Sequence, residues 1–202
     1  MRNITWVLHN LGGLPMKTFP ISALHELLEY YPETGLLFWK ERGKDWFKTE
    51  RDWKIWNTRY AGKRAFTAEQ GRGYLGGRIL GKKYLAHRVC FAYSSGFFPL
   101  EVDHLNHNRS DNRRINLRAA TTKINGKNQS LSQINTSGTT GVYWLKTNNK
   151  WRAYIKTNNK QIHLGCFINK QDAIAARKQA EDEYGFHANH GKTIQNSCPV
   201  AV

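Results

Sequence analysis

Apolar and polar residues alternate with different periods along the 202-residue chain, and each change of period marks a different element. In SALHELLEYYPETG, from Ser22, Leu24, Leu27, Leu28 and Tyr31 recur at helical intervals, and Pro32 with Gly35 supplies a stop. That spacing predicts one amphipathic helix. GLLFWKER reads as a strand. The following stretch, rich in Trp and Lys/Arg through Trp46, Trp53 and Trp56, reads as a long loop returning to RYAGKRAF. Its tryptophans pack a small sheet in this reading, base stacking being the other use such rings have. GYLGGRILGKKYLAHRV predicts a hairpin turning at Gly81-Lys82, and HRVCFAYSSG a short buried helix ended by Gly96.

The pattern is lost in EVDHLNHNRSDNRRINLRAATTKIN, residues 101 to 125, which is too polar to build a core. NQSLSQINTSGTTG then has the small polar composition of a linker. Beyond it, GVYWLK, KWRAYIKT and KQIHLGCF predict three strands with turns at Thr147-Asn149 and Asn158-Asn159. NKQDAIAARKQAEDEYG predicts a helix with Ala173, Ala176, Ala180 and Tyr184 on one stripe. Alternation in KWRAYIKT sends Trp151, Ala153 and Ile155 toward that stripe, and Arg152, Tyr154 and Lys156 outward beside Gln161 and His163. The expected division is an extension over 1–16, a first domain over 17–128, a linker over 129–137, a sheet-and-helix domain over 138–190, and a tail over 191–202.

Charge gives the outward face a purpose. The chain has 31 Lys and Arg against 15 Asp and Glu, a net charge of +16, which favours a polyanion such as nucleic acid as partner. No acidic residue occurs from Asn112 through Gln171. Cys90, Cys166 and Cys198 are far apart and form no C-x-x-C pair, which fits a reducing cytoplasm. No apolar run approaches the roughly 18 residues of a membrane span, and the N-terminus lacks a convincing secretory signal, so a soluble, intracellular protein is expected. Gly71, Gly73 and Gly76 match G-x-G-x-x-G, but without the strand before and the helix after that dinucleotide binding requires.

Cutting a phosphodiester needs a cation at the phosphate, a base for water and donors to hold the strand. Asp103 is a hard oxygen ligand, and the His104 imidazole can accept a proton near neutral pH. His104 and His107 do not form a zinc site, because no Cys or His pair stands at matching spacing. Asp103-His104, Asn116 within NLR twelve positions after the histidine, and Asn125 nine further on together resemble the H-N-N form of the HNH nucleases, common among phage-encoded and homing endonucleases. The upstream AHR and WNTRYAGKRA segments match what often precedes the motif in such phage proteins.

The resemblance implies a ββα-metal finger over 101–128. In it Asp103 and Asn125 hold Mg²⁺ or Mn²⁺, His104 is the general base, and Asn116 braces the loop. His104, Asn116 and Asn125 form the expected catalytic set, with Asn112 structural. Phe91, Phe97, Phe98 and Leu117 are the expected packing contacts of the finger helix.

SGVYW, KWRAYI, IHLGCF and DAIAAR are similar to the plant ethylene-response-factor (APETALA-type) DNA-binding domain, a three-stranded sheet backed by a helix. Tyr143, Tyr154 and His163 stand where the plant domains carry more arginines. Expected DNA contacts are Arg152, Tyr154, Lys156, His163, Gln161, Lys146 and Lys150, with Arg113 and Arg118 from the finger. The whole reads as an α+β chain: an N-terminal α+β region leading into the finger, then a three-stranded antiparallel sheet on one helix. Its expected function is metal-dependent hydrolysis of double-stranded DNA by nicking, as a monomer or weak dimer, in the host cytoplasm if phage-encoded. The alternative is a sequence-specific DNA-binding regulator or packaging accessory with a silent finger.

Overall fold

The computed structural model describes residues 19–193. The expected extension over 1–16, and the part of the expected tail beyond 193, lie outside the described residues. Among those described, five α-helices and four small antiparallel sheets give an α+β chain. One compact unit ends at Ala120 and a second begins at Thr121, a division eight residues before the expected boundary at 128.

The first unit opens with α1 (Ile21–Leu27), followed directly by β1 (Leu28–Tyr31), which pairs with β2 (Leu36–Trp39). The helix predicted to run on through Tyr31 is therefore two turns long. Leu24, Leu27 and Leu28 are fully buried as their spacing demands, but beyond them the period becomes two: Tyr30 is buried and Tyr31 is 44% exposed. Aromatic residues in that alternation favour a strand, and pairing with β2 decides the matter.

A second departure is α2 (Glu50–Tyr60), which occupies the Trp-rich stretch read as a loop. Thr49 caps it, its Oγ1 accepting from Asp52 N at 3.1 Å and donating to Asp52 Oδ2 at 2.7 Å. Glu50 and Asp52 also complement the positive end of the helix dipole. The capping pattern Thr-x-x-Asp and the i, i+3, i+7 spacing of Trp53, Trp56 and Tyr60 are the helix signals of this stretch.

β3 (Arg64–Ala65) completes the first sheet against β2, and β4 (Ala68–Glu69), β5 (Leu75–Ile79) and β6 (Lys82–Leu85) make a second. The β5–β6 hairpin turns at Leu80-Gly81, one residue before the predicted place, with φ of 47° and 80° as a two-residue turn of the I′ type requires. α3 (Ala86–Ser95) follows and buries six side chains, including Val89 and Cys90. Gly96 ends it at φ 77°. Arg88 donates 2.9 Å bonds to the carbonyls of Pro99 and Leu100, fixing the approach to the next strand.

In the second unit α4 (Thr122–Gly126) is capped by Thr121. β9 (Val142–Leu145), β10 (Lys150–Thr157) and β11 (Lys160–Phe167) form an antiparallel sheet, and α5 (Lys170–Glu183) packs on it. The expected turns are there: Asn158 and Asn159 at φ 49° and 60° join β10 to β11, and residues 146–149 join β9 to β10. Ala153, Ile155, Ala173 and Ala180 are buried.

The stripe of α5 differs from the expected alanine set. Arg177 and Glu181, 2% and 6% exposed, take the places expected of Ala176 and Tyr184. Burial is tolerated because the Arg177 guanidinium donates to Glu181 Oε1 at 3.0 Å and Tyr154 O at 2.9 Å, with His190 Nε2 3.2 Å away. Residues of the expected linker are bonded within this unit: Gly191 N donates to Gln129 O and Leu131 N to Lys192 O.

Candidate active site

The polar stretch of residues 101 to 125 supplies its own internal structure. β7 (Glu101–His104) and β8 (Leu117–Ala120) pair with Asp103 opposite Arg118 and His104 opposite Leu117. Between them a loop over 105–116 satisfies its polar groups with one another. Asn116, 5% exposed, accepts from Asn106 N at 2.9 Å through Oδ1 and donates to Asp111 O at 2.8 Å through Nδ2. Its own carbonyl accepts from Leu105 N at 2.9 Å. Asn106 donates to Asp111 Oδ2 at 2.7 Å and accepts from Asn108 N at 2.9 Å. His107, weighed as a metal ligand, is buried in the loop at φ 66°.

His104 is 4% exposed, and its Nε2 lies 3.2 Å from Asn112 Oδ1. An amide oxygen only accepts, so this bond keeps the ring hydrogen on Nε2 and the lone pair on Nδ1. Burial pushes the imidazole below the usual histidine range; the Asn112 bond and the charges of Asp103 and Asp111 oppose this without overcoming it. Asn112 is in turn held by the first hairpin. Tyr30 Oη donates to its carbonyl at 2.8 Å, and Arg114 N donates to Pro32 O at 2.9 Å. A Cβ on Gly35 would stand 2.5 Å from Arg113 N, so the β1–β2 turn approaches this loop as closely as only glycine permits.

Two further rings adjoin His104. His87, on α3, meets it edge-on with ring centres 5.0 Å apart, and Tyr74 lies 6.0 Å from His104 and 5.1 Å from His87. His87 is 5% exposed, and burial, with the neighbouring His104 and Arg88, lowers its pKa to about 3. Asn112 is expected from the sequence to be structural, and His87 reads as a packed or hydrogen-bonded residue of the AHR segment. The structure puts both against His104, a proximity that only the tertiary fold reveals.

Asp103 and Arg118, expected on the metal and on DNA respectively, are paired. Arg118 donates from Nε at 3.0 Å and Nη2 at 2.8 Å, both to Asp103 Oδ2. Arg113, another expected DNA contact, forks onto Asp111 at 2.8 and 2.6 Å. Burial raises the Asp111 carboxyl, but the hydrogen bonds from Arg113 and Asn106 outweigh it and leave the pKa below its usual value. Asn125 lies in α4, within the second unit, and is half-buried.

Of the expected packing residues, Phe91 and Leu117 are buried and Phe98 packs on the core, while Phe97 is 52% exposed. Among the described residues no three His, Cys, Asp or Glu side chains stand together as a metal cluster. The Asp103 carboxylate, in the first unit, and the Asn125 amide oxygen, in the second, are each of the hard oxygen type that divalent cations take.

On the second unit, cross-strand register brings Arg152 opposite Tyr143 and Cys166, Tyr154 opposite His163, and Lys156 opposite Gln161. A bulge between Ala153 and Tyr154, with Gly165 at φ 139°, keeps these side chains on one face. Arg152 Nε donates to His163 Nδ1 at 3.3 Å. Lys146, Lys150 and Lys156 are exposed, so the basic and aromatic face sits opposite the helix-packed one.

Residues 84–127 match the family model for HNH endonuclease. The match takes in α3, the β7–β8 hairpin with its loop, and α4, and it supports an HNH nuclease acting on DNA. No curated protein and no solved structure matches the chain. No helix among the described residues is long and apolar enough to cross a membrane.

Proposed function

We propose that the protein is a metal-dependent DNA endonuclease that nicks double-stranded DNA. The observation that carries the proposal is the buried, neutral His104 fixed on Asn112 within a self-bonded loop, in a segment matching HNH endonuclease. In this reading Nδ1 of His104 takes a proton from water as its oxygen attacks phosphorus and the bond to the leaving oxygen breaks. Asp103 would hold Mg²⁺ or Mn²⁺, with Asn125 the second ligand that the HNH resemblance implies, and the ion when bound would neutralise charge on the phosphate and the leaving oxygen. Asn116 is a positioning residue: it ties residue 106 to residue 111 and so sets the loop that carries Asn112.

The basic sheet face of Arg152, Tyr154, Lys156, Gln161 and His163 holds the duplex, in keeping with the ethylene-response-factor resemblance. One finger has one base, so a monomer cuts one strand. A phage-encoded, homing-type role completes the reading.

The test is plasmid relaxation by His104→Ala. Nicking is abolished and duplex affinity is kept if the assignment holds; wild-type activity in the variant refutes it. The Asp103–Arg118 pair favours a second reading, a DNA-binding regulator with a silent finger, because the carboxylate meant for the cation already faces a guanidinium. In that case the wild type leaves plasmid intact with either metal.

A further inference from the structure

The first unit carries a cleft whose chemistry the proposed nuclease centre does not use. It encloses about 610 Å³, within the roughly 300–1,000 Å³ of ligand sites, and no Asp or Glu lines it. Trp39, Trp56 and Phe66 supply aromatic walls, and Arg42, Arg64 and Arg78 the charge. Gly76 and Gly77 leave part of the lining without side chains, and a Cβ on Gly77 would stand 3.2 Å from the Phe66 ring.

Arg42 is the telling residue. It is 8% exposed, and its Nε is buried without a hydrogen-bond partner among the described residues. Its guanidinium carbon lies 3.7 Å from the centre of the Trp56 ring and 5.1 Å from that of Trp39. The backbone beneath is clamped: Arg42 N donates to Asn57 Oδ1 at 3.0 Å, and Arg42 O accepts from Asn57 Nδ2 at 2.9 Å and Trp53 Nε1 at 2.7 Å. Burial lowers its pKa to about 10. Among the described residues no carboxylate pairs with this rigidly held guanidinium, whose charge faces only the two tryptophan rings, and an incoming anion would pair with it. One face of Trp56 carries the Arg42 guanidinium, but the ring is only half-buried and no side chain of α2 is fully buried, so surface of the ring remains for a second partner.

An anion site against an aromatic platform is the recognition chemistry of a nucleotide within a strand: phosphate on the guanidinium, base on the ring. The recessed position of Arg42 selects against a paired duplex, whose bases present only their edges. We propose that this cleft binds an unpaired nucleotide of a DNA strand, with Arg42, Arg64 and Arg78 on the phosphate and Trp56 against the base. The proposal stands on the cleft alone and holds whether or not His104 cuts DNA.

The test uses the full chain in EDTA, so that no cleavage intervenes, and follows fluorescence anisotropy of a short labelled single strand and its matching duplex. Arg64 and Arg78 are exposed, so Arg64→Gln with Arg78→Gln leaves the fold intact; thermal melting checks this. The double variant is expected to bind the single strand roughly ten-fold more weakly. Its log–log salt slope should fall by about 1.4, two charges at about 0.7 each. Duplex affinity should change less than two-fold. An abasic strand should bind the wild type several-fold more weakly than its parent, and Trp56→Leu should abolish that difference. Unchanged single-strand binding in the double variant, equal losses for strand and duplex, equal binding of the abasic strand, or a preference for RNA of the same sequence would each overturn the proposal.

Discussion

The loop between β7 and β8 and the outer face of β10 and β11 are both polar, and they treat their polar groups in opposite ways. In the loop, Asn106, Asp111, Asn112 and Asn116 bond to one another, to Arg113 or to the backbone, with His104 buried on Asn112. On the sheet, Lys150 and Lys156 extend into solvent, and the Arg152 guanidinium rests against the ring of His163. Chemistry and adhesion place different demands on a surface. A base must stand still, because a displacement of about 1 Å can cost about 100-fold in rate. Phosphate contacts tolerate long, mobile donors, because the attraction is electrostatic and repeated along the strand.

The sharpest way to break this contrast is to loosen the loop. Asn116→Ala leaves Asn106 N and Asp111 O short of a buried partner, a destabilisation of roughly 2–5 kcal/mol. Nicking should fall about 100-fold or more. Plasmid relaxation and thermal unfolding measure the two losses, and wild-type nicking in this variant would mean the loop need not be rigid.

Next in size is acid sensitivity. The fold keeps His87 neutral down to about pH 3, whereas the unfolded chain binds that proton below about pH 6.5. Acid therefore favours unfolding across this window, by about 1.4 kcal/mol per pH unit, or roughly 2 kcal/mol at pH 5. Denaturant titrations against pH should show that slope in the wild type and a shallower one in His87→Gln; parallel curves would remove His87 as its source.

The sheet should respond more gently and in another quantity. Arg152→Ala with Lys156→Ala should lower the log–log salt slope of duplex binding by about 1.8, at about 0.9 for each phosphate no longer neutralised. Nicking at saturating DNA should be unchanged. A drop in turnover at saturation would mean that the face positions the scissile bond as well as holding the duplex.

Smallest is the effect of Arg118→Ala. Relieving the pair with Asp103 should lower the Mg²⁺ concentration for half-maximal nicking by roughly two- to five-fold. A raised requirement would show that Arg118 helps the site instead of competing with the cation.

What could be read along the chain was whatever depends on neighbouring residues. The alternation in KWRAYIKT placed Ala153 and Ile155 inside, and Asn158-Asn159 marked the turn at which β10 reverses. What stayed hidden depends on register or on distant partners. Asp103 and Arg118 meet because they are cross-strand neighbours, and no spacing rule gives that register across an irregular loop. Arg177 is buried because Glu181 and the carbonyl of Tyr154 receive it, the latter twenty-three positions away. The helix that carries Trp53 and Trp56 is hidden for a different reason: tryptophan is neutral between helix and loop, and the Thr49–Asp52 cap that settles the matter is a weak signal by itself.

The central claim is that β7 presents at its end a neutral histidine, held by the β7–β8 loop, for metal-assisted cutting of DNA. It is met most directly by incubating supercoiled plasmid with the wild-type chain in Mg²⁺, in Mn²⁺ and in EDTA. The account predicts open-circular product with each metal and none with the chelator. Intact plasmid under all three conditions, or nicking that persists in EDTA, would contradict it.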